Sequence, residues 1–291
     1  MATNYLMSIL VPIRNAGHYL DKKMFELKKI ASNDNRVEIL ISLNNSTDGT
    51  TEKFLEYWQE THYNIKYWIQ DIEISGGKQI EFLTKKSTGN WVMLSAVDDE
   101  LILENLTRLL NSLEATVEKY SFLATWEYDS EVHGKERISI GLSEKINSRL
   151  QNLIRNLRVS HGVFYSIYRR EIISEFNSKY GFDYIGCDWL FNIYLTLYGP
   201  LISIDNFHII FSVNGLSRQK NTFRIQDSSY MSLVFPYWKL SKNIVTLVSF
   251  ERNITTNLIL LLFSIKLLWF NVKRHINKLV HYAKSTFTIN E

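Results

Sequence analysis

The sequence is short of cysteine, proline and glycine. A single cysteine, Cys187, stands in 291 residues. That excludes a disulfide framework within the chain and fits a reducing compartment. Three prolines and 12 glycines are too few for a collagenous or linker-rich protein, and 45% hydrophobic residues suffice for a packed core. Charge of one sign is scarce as well. The net charge of +3 gives no global field toward nucleic acid, and no nucleic-acid partner is expected. No uninterrupted apolar run reaches the roughly 20 residues that a bilayer-spanning helix needs. Met1 to Asn15 lacks a basic segment followed by a long apolar run, so no leader peptide is expected and the protein is placed in the cytoplasm. Neither a Cys/His zinc cluster, a Gly-x-Gly-x-x-Gly turn nor a phosphate-binding P-loop pattern occurs, which leaves structural zinc, nicotinamide and ATP readings without support.

What is present is an alternation. Met7 to Val11, closed by Pro12, reads as a buried strand. A helix follows, with Tyr19, Met24, Leu27 and Ile30 at helical spacing. Val37 to Leu43 is a second strand, ending in the turn-forming run Asn44 to Gly49. A helix over Thr50 to Glu60, a strand over Ile65 to Ile69, a helix over Gly77 to Lys86 and a strand over Trp91 to Ser95 come next. Such alternation implies an α/β protein with a doubly wound, mostly parallel sheet. Ligands of these sheets sit beyond the carboxyl ends of the strands, where three polar clusters fall: Pro12 to Asn15, Asn44 to Asp48, and Asp98-Asp99. Further on, Phe122 to Trp126 and Val163 to Tyr168 read as strands, Trp189 to Leu197 as a helix, Ile202 to Val213 as strands, and the text from Tyr230 as helical.

Over residues 6 to 218 the chain resembles the family 2 glycosyltransferases, an inverting group with the GT-A fold. Ser8 to Asn15 is similar to the family's first strand with its Pro-x-x-Asn end. Glu38 to Thr50 is similar to the second strand and its Ser-Thr-Asp-Gly-Thr turn. Thr88 to Leu94 resembles the strand leading to the acidic DXD site, Ala96 to Asp99 stands where that site belongs, and Gly186 to Trp189 resembles the acidic pair that supplies the catalytic base. The resemblance implies a GT-A domain over residues 1–225, with a nucleotide-sugar half to about 100 and an acceptor half after it, followed by a helical extension over 226–291. It implies donor contacts at Pro12, Arg14, Asn15, Asn44, Lys78, Asp98, Asp99 and Arg218, and an acceptor cleft near His161 and Arg169.

The chemistry asks for the same residues. Breaking the bond between a sugar and a nucleoside diphosphate builds negative charge on the diphosphate, and a hard divalent cation, Mg or Mn, held by carboxylate and phosphate oxygens offsets it. Asp98 is the expected metal ligand, with Asp99 supporting it or binding the sugar. Inversion needs a general base for the acceptor hydroxyl, and Asp188 is expected to be that base. Each aspartate has a plainer reading as a helix cap, Asp98 or Asp99 for a helix starting near Leu101 and Asp188 for the helix that follows it. Two positions depart from the family pattern. Leu43 replaces the aspartate that usually pairs with uracil, so Leu43 and Asn44 are expected to face a base that need not be uracil. Ala96 replaces the first acid of the DXD site, so a non-catalytic nucleotide-sugar binder or scaffold at the membrane stays open as an alternative.

The last segment is apolar and basic. Leu258 to Ile265 is interrupted by Lys266, and from Glu251 to Glu291 six Lys/Arg stand against two Glu. A basic amphipathic helix carrying Trp269 and Phe270 suits an anionic membrane surface; packing on the catalytic domain or on a second subunit is the other reading. The expected activity is transfer of a sugar from a nucleotide-sugar donor to a saccharide. The resemblance implies a lipid-linked acceptor in surface polysaccharide synthesis, and a protein peripheral to the inner face of the cell membrane.

Overall fold

The structure, a computed structural model, describes residues 5–58, 64–116, 121–129, 136–138, 153, 162–199, 201–212, 237–250 and 254–269. The expected boundary between the two parts, 225/226, lies outside them.

The strands β1 (Met7–Ile13), β2 (Val37–Asn44), β3 (Ile65–Gln70) and β4 (Trp91–Leu94) form a parallel set in the order β3-β2-β1-β4. The helices α1 (Leu20–Asn33), α2 (Thr50–Tyr57) and α3 (Gly76–Lys86) return the chain between them. Every residue of β2 and all but one of β1 are buried, as expected of central parallel strands covered on both faces. Register is set by pairs such as Ile9 with Ile39 and with Met93.

Beyond β4 the sheet becomes mixed. β5 (Glu100–Leu103), β6 (Ser121–Asp129), β7 (Glu136–Ile138), β8 (Ile167–Arg169) and β9 (Leu201–Ser212) extend it in the order β4-β8-β6-β9-β5, with β7 on β6. β8 runs antiparallel to β4, β6 and β9 are parallel to each other, and β5 is antiparallel to β9. The chain is therefore α/β with a mostly parallel sheet, as expected. α4 (Leu106–Ala115), α5 (Arg170–Lys179) and α6 (Cys187–Tyr198) complete the sheet's cover, and α7 (Trp238–Phe250) and a helix over 254–269, here α8, follow.

Two local expectations change. The stretch after Asp99 is not a helix: Glu100–Leu103 pairs with 207–210, a partner more than 100 residues away that local sequence cannot announce. α4 starts later, and its cap is Asn105, whose side chain accepts from Arg108 N at 3.0 Å. Likewise 163–168 is not one strand. Gly162–Tyr165 makes a turn of 3-10 helix, where Phe164 packs on the rings of Phe182 and Phe191 at 6.1 and 6.0 Å; only Ile167–Arg169 pairs with β4.

The C-terminal helices pack on the domain with one face. Leu240, Ile244, Leu247, Leu260 and Leu267 are buried. Trp189 of α6 stacks on Tyr237 at 5.8 Å and lies 6.2 Å from Phe263 of α8. The packing reading thus holds for this inner face.

Candidate active site

The polar clusters do meet at the carboxyl edge of the sheet. After β1 the chain turns through Asn15, which has a left-handed φ of 47°, a conformation that asparagine tolerates better than most residues. Asn15 N donates to Ser46 Oγ at 3.1 Å, and Thr47 N donates back to Asn15 Oδ1 at 2.9 Å. Ala16 N donates to Thr50 Oγ1 at 2.8 Å and Gly17 N to Asp48 Oδ2 at 3.1 Å. The Asp48 carboxyl is desolvated, yet its bonds from Thr50 and Gly17 outweigh that and hold it below the usual carboxylate range. The Ser-Thr-Asp-Gly-Thr turn therefore sutures the loops after β1 and β2. Pro12, partly buried, leads into this suture from β1.

Arg14 sits beside it and pairs with Glu73, Nη2 to Oε2 at 2.5 Å, leaving Arg14 Nε and Glu73 Oε1 without protein partners. Sequence reasoning missed Glu73, which lies in an unpatterned loop. Lys78 stands in the first turn of α3, capped by Ser75, with its Nζ on Glu81 at 3.2 Å at the surface. Gly77 of the same turn lies against the chain just before α6: a Cβ there would come within 2.2 Å of Phe182 O, so no other residue fits.

Two expectations at the base-binding end are corrected. Leu43 is fully buried in the core and does not face a ligand. Asn44 is 1% exposed, and its amide is engaged in a reciprocal pair with the backbone of Ile74, Nδ2 to Ile74 O at 2.6 Å and Ile74 N to Oδ1 at 2.9 Å. An amide completes this pair because it both donates and accepts; a carboxylate cannot. Arg169 is corrected as well. It pairs in register with Trp91, at the start of β4, so it lies at the opposite end of that strand from Asp98. Its guanidinium stacks over the Trp91 ring at 4.0 Å and donates to Thr116 O, a packing role. His161 and Arg218 lie outside the described residues.

The acidic turn follows β4. Ser95 N still donates to Leu10 O at 2.9 Å, and the chain then swings through Ala96 to Asp99 into β5. Neither Asp98 nor Asp99 caps a helix, since the next element is a strand. Asp99 Oδ1 accepts from Ser212 N at 3.1 Å. Burial, and then the charge of Asp98, push the Asp99 carboxyl up to about 7; the Ser212 bond and Lys23 work against the rise. Further along the chain, α6 begins after Gly186, whose φ is 84° and which is the cap residue; Asp188 lies in the first turn and is not the cap. Gly186 is also hemmed in, since a Cβ would meet Leu240 Cδ2 at 2.6 Å.

Tyr165 joins the two sides. Burial foremost, then the charges of Asp99, Asp98 and Asp188, hold its hydroxyl protonated far above the ordinary tyrosine range, so one phenol sits within the field of all three carboxylates. Sequence reasoning passed over Tyr165 because it reads as one more core aromatic, and its ring does pack on Phe211 at 5.5 Å. Among the described residues no three His, Cys, Asp or Glu side chains group as a metal cluster. A nucleoside diphosphate brings phosphate oxygens of its own, so a cation bound with it asks for only one or two carboxylates from the protein. Two aspartates whose charges oppose each other at one strand end are a fitting donor set for it.

Fold and edge together are those of an α/β domain of the GT-A type. The chain belongs to glycosyl transferase family 2: the family's model matches residues 8–176, more than half of it. Solved structures agree on the fold. TarS residues 1–349 from S. aureus, in complex with UDP-GlcNAc, superposes with a TM-score of 0.62 at 17% identity, over 94% of this chain and 73% of that one. The mannosyltransferase PcManGT from Pyrobaculum calidifontis, in complex with GDP-Man and Mn2+, gives 0.52 at 12% identity over 98% and 81%. GalNAc-T7 with UDP, GalNAc and Mn2+ gives 0.50 at 11% identity over 73% and 44%. No curated protein matches the sequence.

Proposed function

We propose that this glycosyltransferase inverts the anomeric centre as it moves a sugar from a nucleotide-sugar to a saccharide acceptor, with Asp98 holding a divalent cation and Asp188 acting as the base. The observation that carries the reading is the placement of Asp98 and Asp99 in the turn after β4, at the carboxyl edge of the parallel strands, with Asp188 in the first turn of α6; the charges of all three act on the Tyr165 hydroxyl. The cation, Mg or Mn, would supply positive charge to the departing diphosphate. Pro12, Arg14 and Asn15 line the nucleoside end, and the unpaired atoms of Arg14 and Glu73 offer a donor and an acceptor to a base. Asp188 takes the acceptor hydroxyl's proton as that oxygen bonds to the anomeric carbon and the carbon–diphosphate bond breaks, the electron pair leaving with the diphosphate.

The acceptor in this reading is a lipid-linked saccharide of a surface polysaccharide, and the protein sits on the inner face of the membrane. Among the described residues no helix is long and apolar enough to cross a membrane. Support for a surface position comes from α8, where Ile254, Leu258, Leu262, Ile265 and Trp269 follow one another at helical spacing and are all more than half exposed, with Lys266 among them and four more basic residues after it in the sequence. Such a face suits an anionic bilayer.

The test is turnover with UDP-, GDP- and CDP-sugars in Mg2+ or Mn2+, read as nucleoside diphosphate release. Metal-dependent release from one donor class is expected. Tight binding of a donor with no release, even with acceptor saccharides present, would turn the reading to a non-catalytic binder.

A further inference from the structure

Lys23 is among the largest fully buried side chains of the protein, at 1% exposure. It lies on α1, more than 70 residues from the acidic turn in sequence, and nothing in the steps above uses it. Each of its three N–H donors finds an oxygen: Glu26 Oε1 at 2.8 Å, Ser95 Oγ at 3.1 Å and the carbonyl oxygen of Asp99 at 2.7 Å. Glu26 completes the arrangement, because its second oxygen accepts from Leu101 N at 2.8 Å. The two side chains thus hold the turn at residues 95, 99 and 101, on both sides of Asp98. At the surface Lys22 reaches Glu100 at 2.6 Å, so consecutive residues of one helix grip consecutive residues of the turn.

A buried ion pair is seldom kept for stability alone, since well-packed apolar residues of similar volume usually serve as well. A cation site, by contrast, loses affinity when the groups orienting its ligands are removed. The turn also lacks the first acid of its pattern, Ala96, so fewer carboxylates remain to fix a cation and their position matters more. We propose that Lys23 and Glu26 are positioning residues that clamp the acidic turn so that Asp98 meets the donor's diphosphate-bound cation in a fixed place. The inference rests on the reading of Asp98 as the cation ligand.

Two variants test it. Lys23→Met leaves Glu26 buried without its partner and should lower the melting temperature. Lys23→Met/Glu26→Leu removes both charges and should regain most of that loss, yet it cannot hold Asp99 O or Leu101 N–H. Three quantities are measured on the full chain: melting temperature, amide hydrogen exchange in the peptide covering 95–103, and Mn2+ affinity by its paramagnetic resonance signal with UDP, GDP and CDP in turn. Expected for the double variant are a near-normal melting temperature, exchange at 95–103 faster by about tenfold or more, and Mn2+ affinity weaker by about tenfold or more. Exchange and affinity that return to wild-type values together with the melting temperature would make the pair merely structural and overturn the inference. If the wild type itself takes up no Mn2+ with any of the three nucleotides, the reading of Asp98 has failed. Exchange then still decides the clamp: unchanged exchange in the double variant removes it.

Discussion

The loops of the parallel half and the helices at the C-terminal end treat their side chains in opposite ways. Around β1, β2 and β4, polar groups are bonded to one another, some of them inside the protein: Asn44 to Ile74 and Lys23 to Asp99 and Ser95 in the interior, Asp48 to Thr50 and Gly17 nearer the surface. Along α8, apolar groups are turned outward, with Leu262 at 65% and Trp269 at 61% exposure. The first pattern leaves these groups satisfied and fixes a rigid edge for chemistry. The second leaves apolar surface that stability alone does not ask for, the kind that marks an interaction site for a protein or a membrane. The two meet at α6, which carries Asp188 in its first turn and whose Trp189 lies on Tyr237 and Phe263. The helix that carries Asp188 is thus held by the outer helices as well as by the sheet, through Phe191 on Tyr168 at 4.9 Å.

The comparison breaks most sharply at Asp188. Asp188→Asn keeps the shape and the dipole-facing polar group but cannot take a proton. Turnover should fall at least about 100-fold, the lower end of what a general base contributes, with the Kd for the donor little changed. Steady-state turnover alongside donor titration checks this. A variant that transfers sugar at near-normal rate would remove the residue from the mechanism, and with it the link between the helical end and the chemistry.

Asp99 sharpens the other side. Its carboxyl titrates at about 7 in the folded protein against 3.8 ordinarily, so a proton competes with a cation there as the pH falls through 7. Mn2+ affinity should drop by about three- to tenfold from pH 8 to pH 6, and Asp99→Asn should flatten that slope. Stability has the opposite sign. The folded state binds this proton more tightly than the unfolded chain, so the wild type is penalised progressively as pH rises from about 4 to 7, and the penalty stays above 7. Asp99→Asn should therefore melt several degrees higher than wild type at pH 8, since a carboxyl pushed upward by one pH unit on folding costs about 1.4 kcal/mol in its charged form. The gap should close toward pH 4. Parallel melting curves at all pH values would show that the Asp99 charge is not under strain.

The strands of the parallel half were legible because each is a short apolar run closed by a turn signal, and their order follows from alternation. That the acidic turn follows a strand and that Asp188 stands at the start of a helix were legible from motif and spacing. Their capping alternatives fell only when Glu100–Leu103 proved to pair with β9 and Gly186 proved to be the cap, both matters of long-range pairing or backbone angle. Leu43 and Asn44 misled because position in a motif says which strand end a residue occupies, not whether its side chain is free: β2 is covered on both faces through its last residue, so both neighbours are buried. Arg169 misled for a related reason, since an antiparallel strand puts its end where a parallel one would start. Lys23, Glu26, Glu73 and Tyr165 gave no signal at all, as each acts through a contact made far along the chain.

The smallest expected effect tests the outer helices. Truncating the chain at α8 would uncover Leu260 and Leu267, which are buried, so loss of binding in such a variant could come from loss of the fold. Changing the outward residues avoids this. In Leu258→Ser/Leu262→Ser/Ile265→Ser all three side chains are more than half exposed, so the melting temperature should hold. Co-sedimentation with vesicles containing phosphatidylglycerol should weaken by about fivefold, since apolar insertion is lost while the basic residues keep their attraction. Added salt should then remove most of the remainder, because what is left is screened charge. Donor hydrolysis in solution should be unaffected, because the inner face still meets α6 through Phe263, whose ring lies 6.2 Å from Trp189. Equal sedimentation of variant and wild type would assign the apolar face to something other than lipid. A concentration-dependent fall in apparent size in the variant would point to a second copy of the chain instead.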